Sequence, residues 1–273
     1  MNSDPENLVI VQRRHYGRLV GAAIVLVGLA AIVHAFVVGQ IEWSYVGRFL
    51  TVRAIMEGLA NTIVMSILAM LLGLVLGVVF AIMRLSANPV LSTTALGYIW
   101  FFRAIPVLLQ LLLWYNLALV FPTIGIPGVA SWKTVDVMTP FVAALLGLGI
   151  QQGAFTAEVV RAGLLSVDQG QYEAAQTLGM TRLQLLRRII MPQAMRVIVP
   201  PVGNEFIGMV KLTSLASVVQ FAEVLHSAQS IYYANSRVIE LLLVAAFWYL
   251  IVVTILSLLQ GRVEASYERG VAR

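Results

Sequence analysis

Five stretches of this 273-residue chain run for 21 residues or more without Asp, Glu, Lys or Arg: Leu19–Ile41, Gly58–Met83, Ala104–Trp132, Val137–Ala157 and Leu241–Gly261. An α-helix rises about 1.5 Å per residue, so about 20 apolar residues cross the roughly 30 Å hydrocarbon core of a bilayer. Inside that core no water is present to bond the backbone, which leaves helices or closed barrels. Continuous apolar runs of this length select helices. The chain is therefore read as a polytopic, all-α membrane protein. Its 60% hydrophobic and 11% charged residues agree, against about 25% charge in an ordinary soluble domain.

The third stretch is expected to begin before Arg103, because Leu85–Phe102 is also uncharged, and to end near Phe121, where Pro122, Gly125, Pro127 and Gly128 break a helix. Pro122–Thr139 then reads as an external loop. A sixth span, about Gln193–Phe221, is interrupted by Glu205 and Lys211. About six spans are thus expected. The first run admits a second reading as a signal peptide, with Arg13 and Arg14 before it and a small-residue site at Val33-His34-Ala35, but it exceeds a usual signal core. Between Glu42 and Glu57 aromatic residues alternate with charges, the pattern of an interfacial helix on the outer face.

Short cytoplasmic loops are enriched in Lys and Arg. With the amino terminus inside, Arg13, Arg14, Arg18, Arg84, Arg103, Arg161, Arg182, Arg187, Arg188, Arg196, Arg262, Arg269 and Arg273 fall on the cytoplasmic side. Both termini are then cytoplasmic. The net charge of +5 is accounted for by these clusters, with no interleaved aromatic stripe to suggest nucleic acid. Zero cysteines and three scattered histidines supply no metal-ligand spacing. No catalytic constellation is visible.

The most informative segment is Ser166–Arg196, SVDQGQYEAAQTLGMTRLQLLRRIIMPQAMR. It is polar, helical in pattern and bracketed by spans. Gly179 interrupts it, so two short helices meeting at a glycine hinge are expected, and Pro192 is expected to end the second and return the chain to the membrane.

These residues carry a resemblance. Glu173-Ala174-Ala175, then Gly179, Ile189 and Pro192 at their spacing, resemble the EAA loop of ABC importer permeases, with Met191 where the family usually has Leu. Ile99–Pro106, Gly153–Gly163 (GAFTAEVVRAG) and Pro200–Ser214 (PPVGNEFIGMVKLTS) are similar to the polar amino-acid subfamily, which takes up histidine, glutamine, arginine and opines. Ala104, Ile105 and Leu212 depart from its usual residues. The resemblance implies a type I ABC importer permease fold. It implies that Glu173, Ala174, Ala175, Gly179, Ile189 and Pro192 couple the chain to ATPase subunits. It also implies a second permease copy or paralogue and an extracytoplasmic substrate-binding protein as partners, in a bacterial inner membrane. No cofactor is expected on this chain. It lacks a phosphate-binding G-x-x-x-x-G-K-[ST] loop, so ATP and magnesium are expected on the ATPase. The implied layout is a tail over 1–17, an added span and interfacial helix over 18–56, a permease core over 57–262 with the coupling loop at 165–195, and a tail over 263–273.

A charged side chain at mid-bilayer costs roughly 2.5–3.5 kcal/mol on insertion scales. Asn204, Gly208 and Lys211 fall on one helical stripe, which lines a substrate path or lets Lys211 snorkel to the outer interface, while Glu205 points elsewhere. Gln151, Phe155 and Glu158 make a second stripe, with Glu158 able to pair with Arg161. Gln110 is a further path candidate. Thr62, Ser66, Ala69, Gly73 and Gly77 form a small-residue stripe suited to close helix packing, and Asn61 suits helix packing too. The expected cargo is a polar amino acid, with an opine or other amino-acid derivative as the alternative. A secondary transporter would need its own driving-ion site and paired halves, which the sequence does not display.

Overall fold

A computed structural model describes residues 16–126 and 128–268, and helix dominates them. Residues 1–15 and 269–273 of the expected tails, and the helix breaker Pro127, lie outside the described residues. The chain divides into two units, residues 1–44 and 45–273. The first contains α1 (Tyr16–Val38), a 23-residue apolar helix whose described side chains are exposed.

The second unit opens within the short helix α2 (Trp43–Phe49), where Tyr45 and Phe49 stack at 4.4 Å. The expected interfacial helix does not reach Glu57. Val52 is extended, and α3 (Arg53–Arg84) starts one residue later, its first turn supported by an ion pair between Arg53 and Glu57 at 2.6 Å. On α3 the side chains of Ile63, Ile67, Leu71, Val75, Val79 and Ile82 are exposed. Such a stripe suits lipid and not water.

The third span is two helices, α4 (Pro89–Ala104) and α5 (Val107–Tyr115), bent by 100° at their junction. Pro106 causes the break. It has no N–H to donate to the carbonyl of Phe102, and its ring disfavours helical geometry at Ile105. The expected external loop contains a hairpin of β1 (Thr123–Ile126) and β2 (Ala130–Lys133), with Gly128 at φ +77° in its turn, followed by the four-residue helix α6 (Thr134–Val137).

Helix α7 (Pro140–Leu165) starts behind a Thr139 cap and lies along α3. Glycines set how closely the two approach. A Cβ on Gly73 would lie 2.5 Å from Cγ of Gln152, and one on Gly77 would lie 2.7 Å from Cβ of Thr156. In the other direction Gly149 faces Leu72 and Gly153 faces Leu76, each at 2.7 Å. The small-residue stripe is the packing face it was expected to be.

Beyond α7 come α8 (Gln169–Thr177) and α9 (Arg182–Leu185), which passes through a π-helical turn at Leu186–Ile190 into α10 (Met191–Leu212). A 3₁₀ segment at Thr213–Val219 and a 43° bend lead to α11 (Val224–Asn235), and α12 (Val238–Glu268) closes the described chain. Among the described residues four helices (α1, α3, α7 and α12) are long and apolar enough to cross a membrane alone, and the two bent pairs bring the total to as many as six.

The second bend is held by buried polar groups. Gln220 turns the chain at φ 62°, and the fully buried carboxylate of Glu223 accepts the N–H groups of Leu225 and His226 at 2.8 and 2.6 Å and the Tyr249 hydroxyl at 2.6 Å. From α3, Asn61 donates to the Ala222 carbonyl at 2.8 Å and Thr62 Oγ1 accepts the Val224 N–H at 3.2 Å. The main apolar core, with Met65, Leu111, Leu148 and Met209, gathers α3, α5, α7 and α10. A second cluster around Ile190, Ala194 and Ile198 seats the start of α10 against α7.

Candidate functional site

The segment between α7 and α10 forms an elbow. Helix α8 ends in a two-bond closure: the Gly179 N–H donates to the Gln176 carbonyl at 2.9 Å and the Met180 N–H to the Ala175 carbonyl at 3.1 Å. Gly179 takes φ +69°, a left-handed conformation that costs other residues energy and glycine little. Two residues later Thr181 opens α9 with a reciprocal cap to Gln184. The hinge at Gly179 is where the spacing placed it.

The elbow has a seated side and an open side. Ala175 is 3% exposed and Ile189 is half-buried against the second apolar cluster, whereas Glu173, Ala174 and Pro192 are exposed. Leu178 at the tip is 79% exposed and Leu183 is 62% exposed, among the exposed Arg182, Arg187 and Arg188.

Pro192 does not end the second helix. It is the second residue of α10, and the preceding turn widens so that the Met191 N–H bonds to the Leu186 carbonyl, five residues back. The wider turn accommodates a residue that lacks an N–H and crowds the carbonyl four residues before it. Residues 182–219 thereby run as one unbroken helical rod from the elbow into the span.

The six candidate path residues are not gathered in one place. Gln110 is 3% exposed, and its Nε2 donates to the carbonyls of Phe102 and Ile105 at 3.0 and 2.9 Å. It satisfies the carbonyl that Pro106 leaves open, so it holds the α4–α5 break. Asn204 donates to the Pro200 carbonyl at 3.3 Å and to Glu264 of α12 at 3.0 Å. Lys211 is exposed beside Leu242, Ala245 and Tyr249, so that stripe faces α12. Gln151 is half-buried on α7. Phe155 and Glu158 share a hollow with Arg84, Trp100, Arg103 and Arg161, and Glu158 pairs with Arg161 at 2.7 Å as its spacing suggested. Arg103, which the third span was expected to include, lies in the last turn of α4 with its guanidinium 5.2 Å from the Phe155 ring centre.

Glu205 lies off the Asn204–Lys211 stripe, and the structure gives it partners that the sequence did not name. Its Oε2 accepts Gln152 Nε2 at 2.7 Å and the Thr156 hydroxyl at 3.0 Å, tying α10 to α7 at the level of Gly73 and Gly77. The only signal available was an acid interrupting an apolar run.

The sequence profile of the family described as "binding-protein-dependent transport system inner membrane component" matches residues 69–269, which covers the elbow, both bent pairs and Glu205. The chain belongs to this family. The permease is 37% identical over 274 residues to the arginine transport system permease protein ArgU of Corynebacterium glutamicum, across 99% of this chain and 86% of that protein. It is 31% identical over 225 residues to the glutamine transport system permease protein GlnP of Escherichia coli K12, across 82% of this chain and 97% of that one. Among solved structures it superposes on a crystal structure of an amino acid ABC transporter with histidines at a TM-score of 0.68, with 34% identity and coverage of 78% and 94% of the two chains. The fold is thus that of ABC importer permeases, and the permease is a multi-pass protein of the bacterial inner membrane. Permeases of this fold act with ATPase and substrate-binding partners, and the family's work is transport, not chemical conversion.

Proposed function

We propose that this permease forms the translocation path of an ATP-driven importer of polar amino acids, with both termini and the elbow on the cytoplasmic side. The observation that carries the reading is the elbow: an exposed surface of Glu173, Ala174 and Leu178, bent at Gly179, leading into an unbroken rod over 182–219. A displacement of the elbow by an ATPase subunit would move α10 as a body. In this reading Glu173, Ala174 and Gly179 meet the ATPase, Ala175 and Ile189 seat the elbow against the spans, Pro192 lies in the first turn of α10, and ATP and magnesium bind the partner. A second permease copy or paralogue completes the path, and an external binding protein delivers cargo.

The relatives' names support amino-acid cargo, and the arginine permease supports a cationic one. Glu205 suits that class. Its Oε2 is fixed by two donors, and no cation lies within 4 Å of its carboxylate among the described residues, so a guanidinium or ammonium group would relieve the cost of a carboxylate within the span.

Co-purification with the cognate ATPase and uptake into proteoliposomes with the loaded binding protein test the reading. Gly179→Pro and Glu173→Lys are expected to weaken ATPase association by about tenfold. Undiminished association and uptake in both variants would remove the elbow from its assigned role.

A further inference from the structure

One hollow carries more positive charge than its own residues balance. It has a volume of about 620 Å³ and lies where the ends of α3 and α4 meet α7. Arg84, Arg103 and Arg161 line it, and Glu158 is the one carboxylate among its lining residues. Glu158 is committed to Arg161 through two hydrogen bonds, at 2.7 and 3.3 Å. Arg84 donates to the hydroxyl of Ser92 at 2.8 Å, which leaves its charge uncompensated at close range. Arg103 lies over the Phe155 ring and has no ion pair within 4 Å among the described residues. Trp100, 69% exposed, forms part of the wall.

Three guanidinium groups and one carboxylate leave two positive charges beside helices that cross the membrane. In a concave surface such an excess of one sign of charge attracts an anion. Guanidinium groups receive carboxylates in a planar, two-point geometry, and that of Arg103 is already placed 5.2 Å from the centre of the Phe155 ring. We propose that this hollow is an anion site, and that its ligand is the α-carboxylate of the amino acid in transit, held by Arg103 and Arg84. The assignment rests on the amino-acid import reading and deepens it. The relatives named for different amino acids handle cargoes with different side chains, whereas a carboxylate is common to all amino acids, so a site for it belongs on the permease whatever the side chain.

The test uses the permease–ATPase complex in phosphatidylcholine nanodiscs and follows the part of the tryptophan emission change that is lost in Trp100→Phe. L-Arginine is expected to give a saturable change, and agmatine, which is arginine without its carboxylate, to bind at least about tenfold more weakly. Arg103→Gln should weaken arginine by a similar factor, and Arg103→Lys, which keeps the charge but not the two-point geometry, should recover only part of that loss. If Arg103→Gln does not co-purify with the ATPase, Arg84→Gln and the agmatine comparison decide the matter. Equal binding of arginine and agmatine, or arginine binding unaltered in both the Arg103→Gln and Arg84→Gln complexes, would overturn the proposal. Doping the nanodiscs with phosphatidylglycerol is expected to shift the arginine titration by less than about twofold. A shift beyond about tenfold would give the hollow to lipid phosphate and overturn the carboxylate assignment. Uptake by the unaltered complex separates the two readings: amino-acid uptake without a Trp100 response sinks this site alone, whereas absence of uptake sinks the import reading.

Discussion

Nε2 of Gln152 donates to Oε2 of Glu205 across 2.7 Å, and this bond joins the helix that packs on α3 to the helix that continues from the elbow. The same carboxylate oxygen takes the Thr156 hydroxyl, and Gln152 also donates to that hydroxyl at 3.0 Å, so three side chains close a small network. Both partners on α7 are buried, and both press on glycines of α3. A change at Glu205 therefore reaches three spans.

Glu205→Leu strands two buried donors. Interhelical hydrogen bonds in membranes average about 0.6 kcal/mol, with a maximum near 1.7, so a loss of about 1–2 kcal/mol is expected for the pair. Thermal unfolding of the solubilised permease should shift down by several degrees. Glu205→Gln keeps a carbonyl acceptor and should lose less than half as much. Equal losses in the two variants would show that the acceptor is not what matters.

Glu223→Ala removes a helix cap and the partner of Tyr249 together. Two N–H groups at the start of α11 and one hydroxyl on α12 lose their acceptor, for a cost of about 2–4 kcal/mol. Hydrogen exchange should quicken at Leu225 and His226 first. Unchanged protection there would refute the capping role.

Gly77→Val places methyl groups where Thr156 already lies, since even a Cβ would come within 2.7 Å of it. Overpacking of about 1–3 kcal/mol or more is expected, seen as loss of monodisperse protein on size-exclusion chromatography. Gly97→Ala is the control. Nothing lies within 4 Å of its Cβ position, and relief of glycine's helix penalty should leave stability equal or raised by about 1 kcal/mol.

Gly203→Ala tests a clasp between α10 and α12. Gln260 reaches over Gly203 to donate to the Pro200 carbonyl at 3.0 Å, and a Cβ on Gly203 would fall 1.9 Å from its amide oxygen. The substitution should cost about 0.5–1.5 kcal/mol by expelling that amide, and should cost nothing in a Gln260→Ala background. Additive losses in the double variant would separate the two positions.

The spans, the glycine packing face and the Glu158–Arg161 pair were legible because each rests on spacing along a single helix, and the Gly179 hinge because a glycine interrupts a helical pattern. Gln110, Glu205 and Pro192 were not, for a shared reason. A polar residue in an apolar run looks the same whether it faces a path, repairs a broken helix or bonds a neighbour, and only the position of the neighbouring helix decides. Gln110 owes its role to Pro106, four residues before it, and Glu205 owes its role to Gln152, more than fifty positions away. Pro192 misled through the usual effect of proline on a helix, since a wider turn can absorb it.

The π turn at Leu186–Ile190 is the seam in the rod, and its registry sets the azimuth at which Glu173 and Leu178 face a docking partner. Each residue of an α-helix advances about 100°. Deleting one residue from the seam would swing the elbow by roughly that angle while leaving every transmembrane side chain in place. Such a permease would insert, fold and present its docking knob to the wrong quarter.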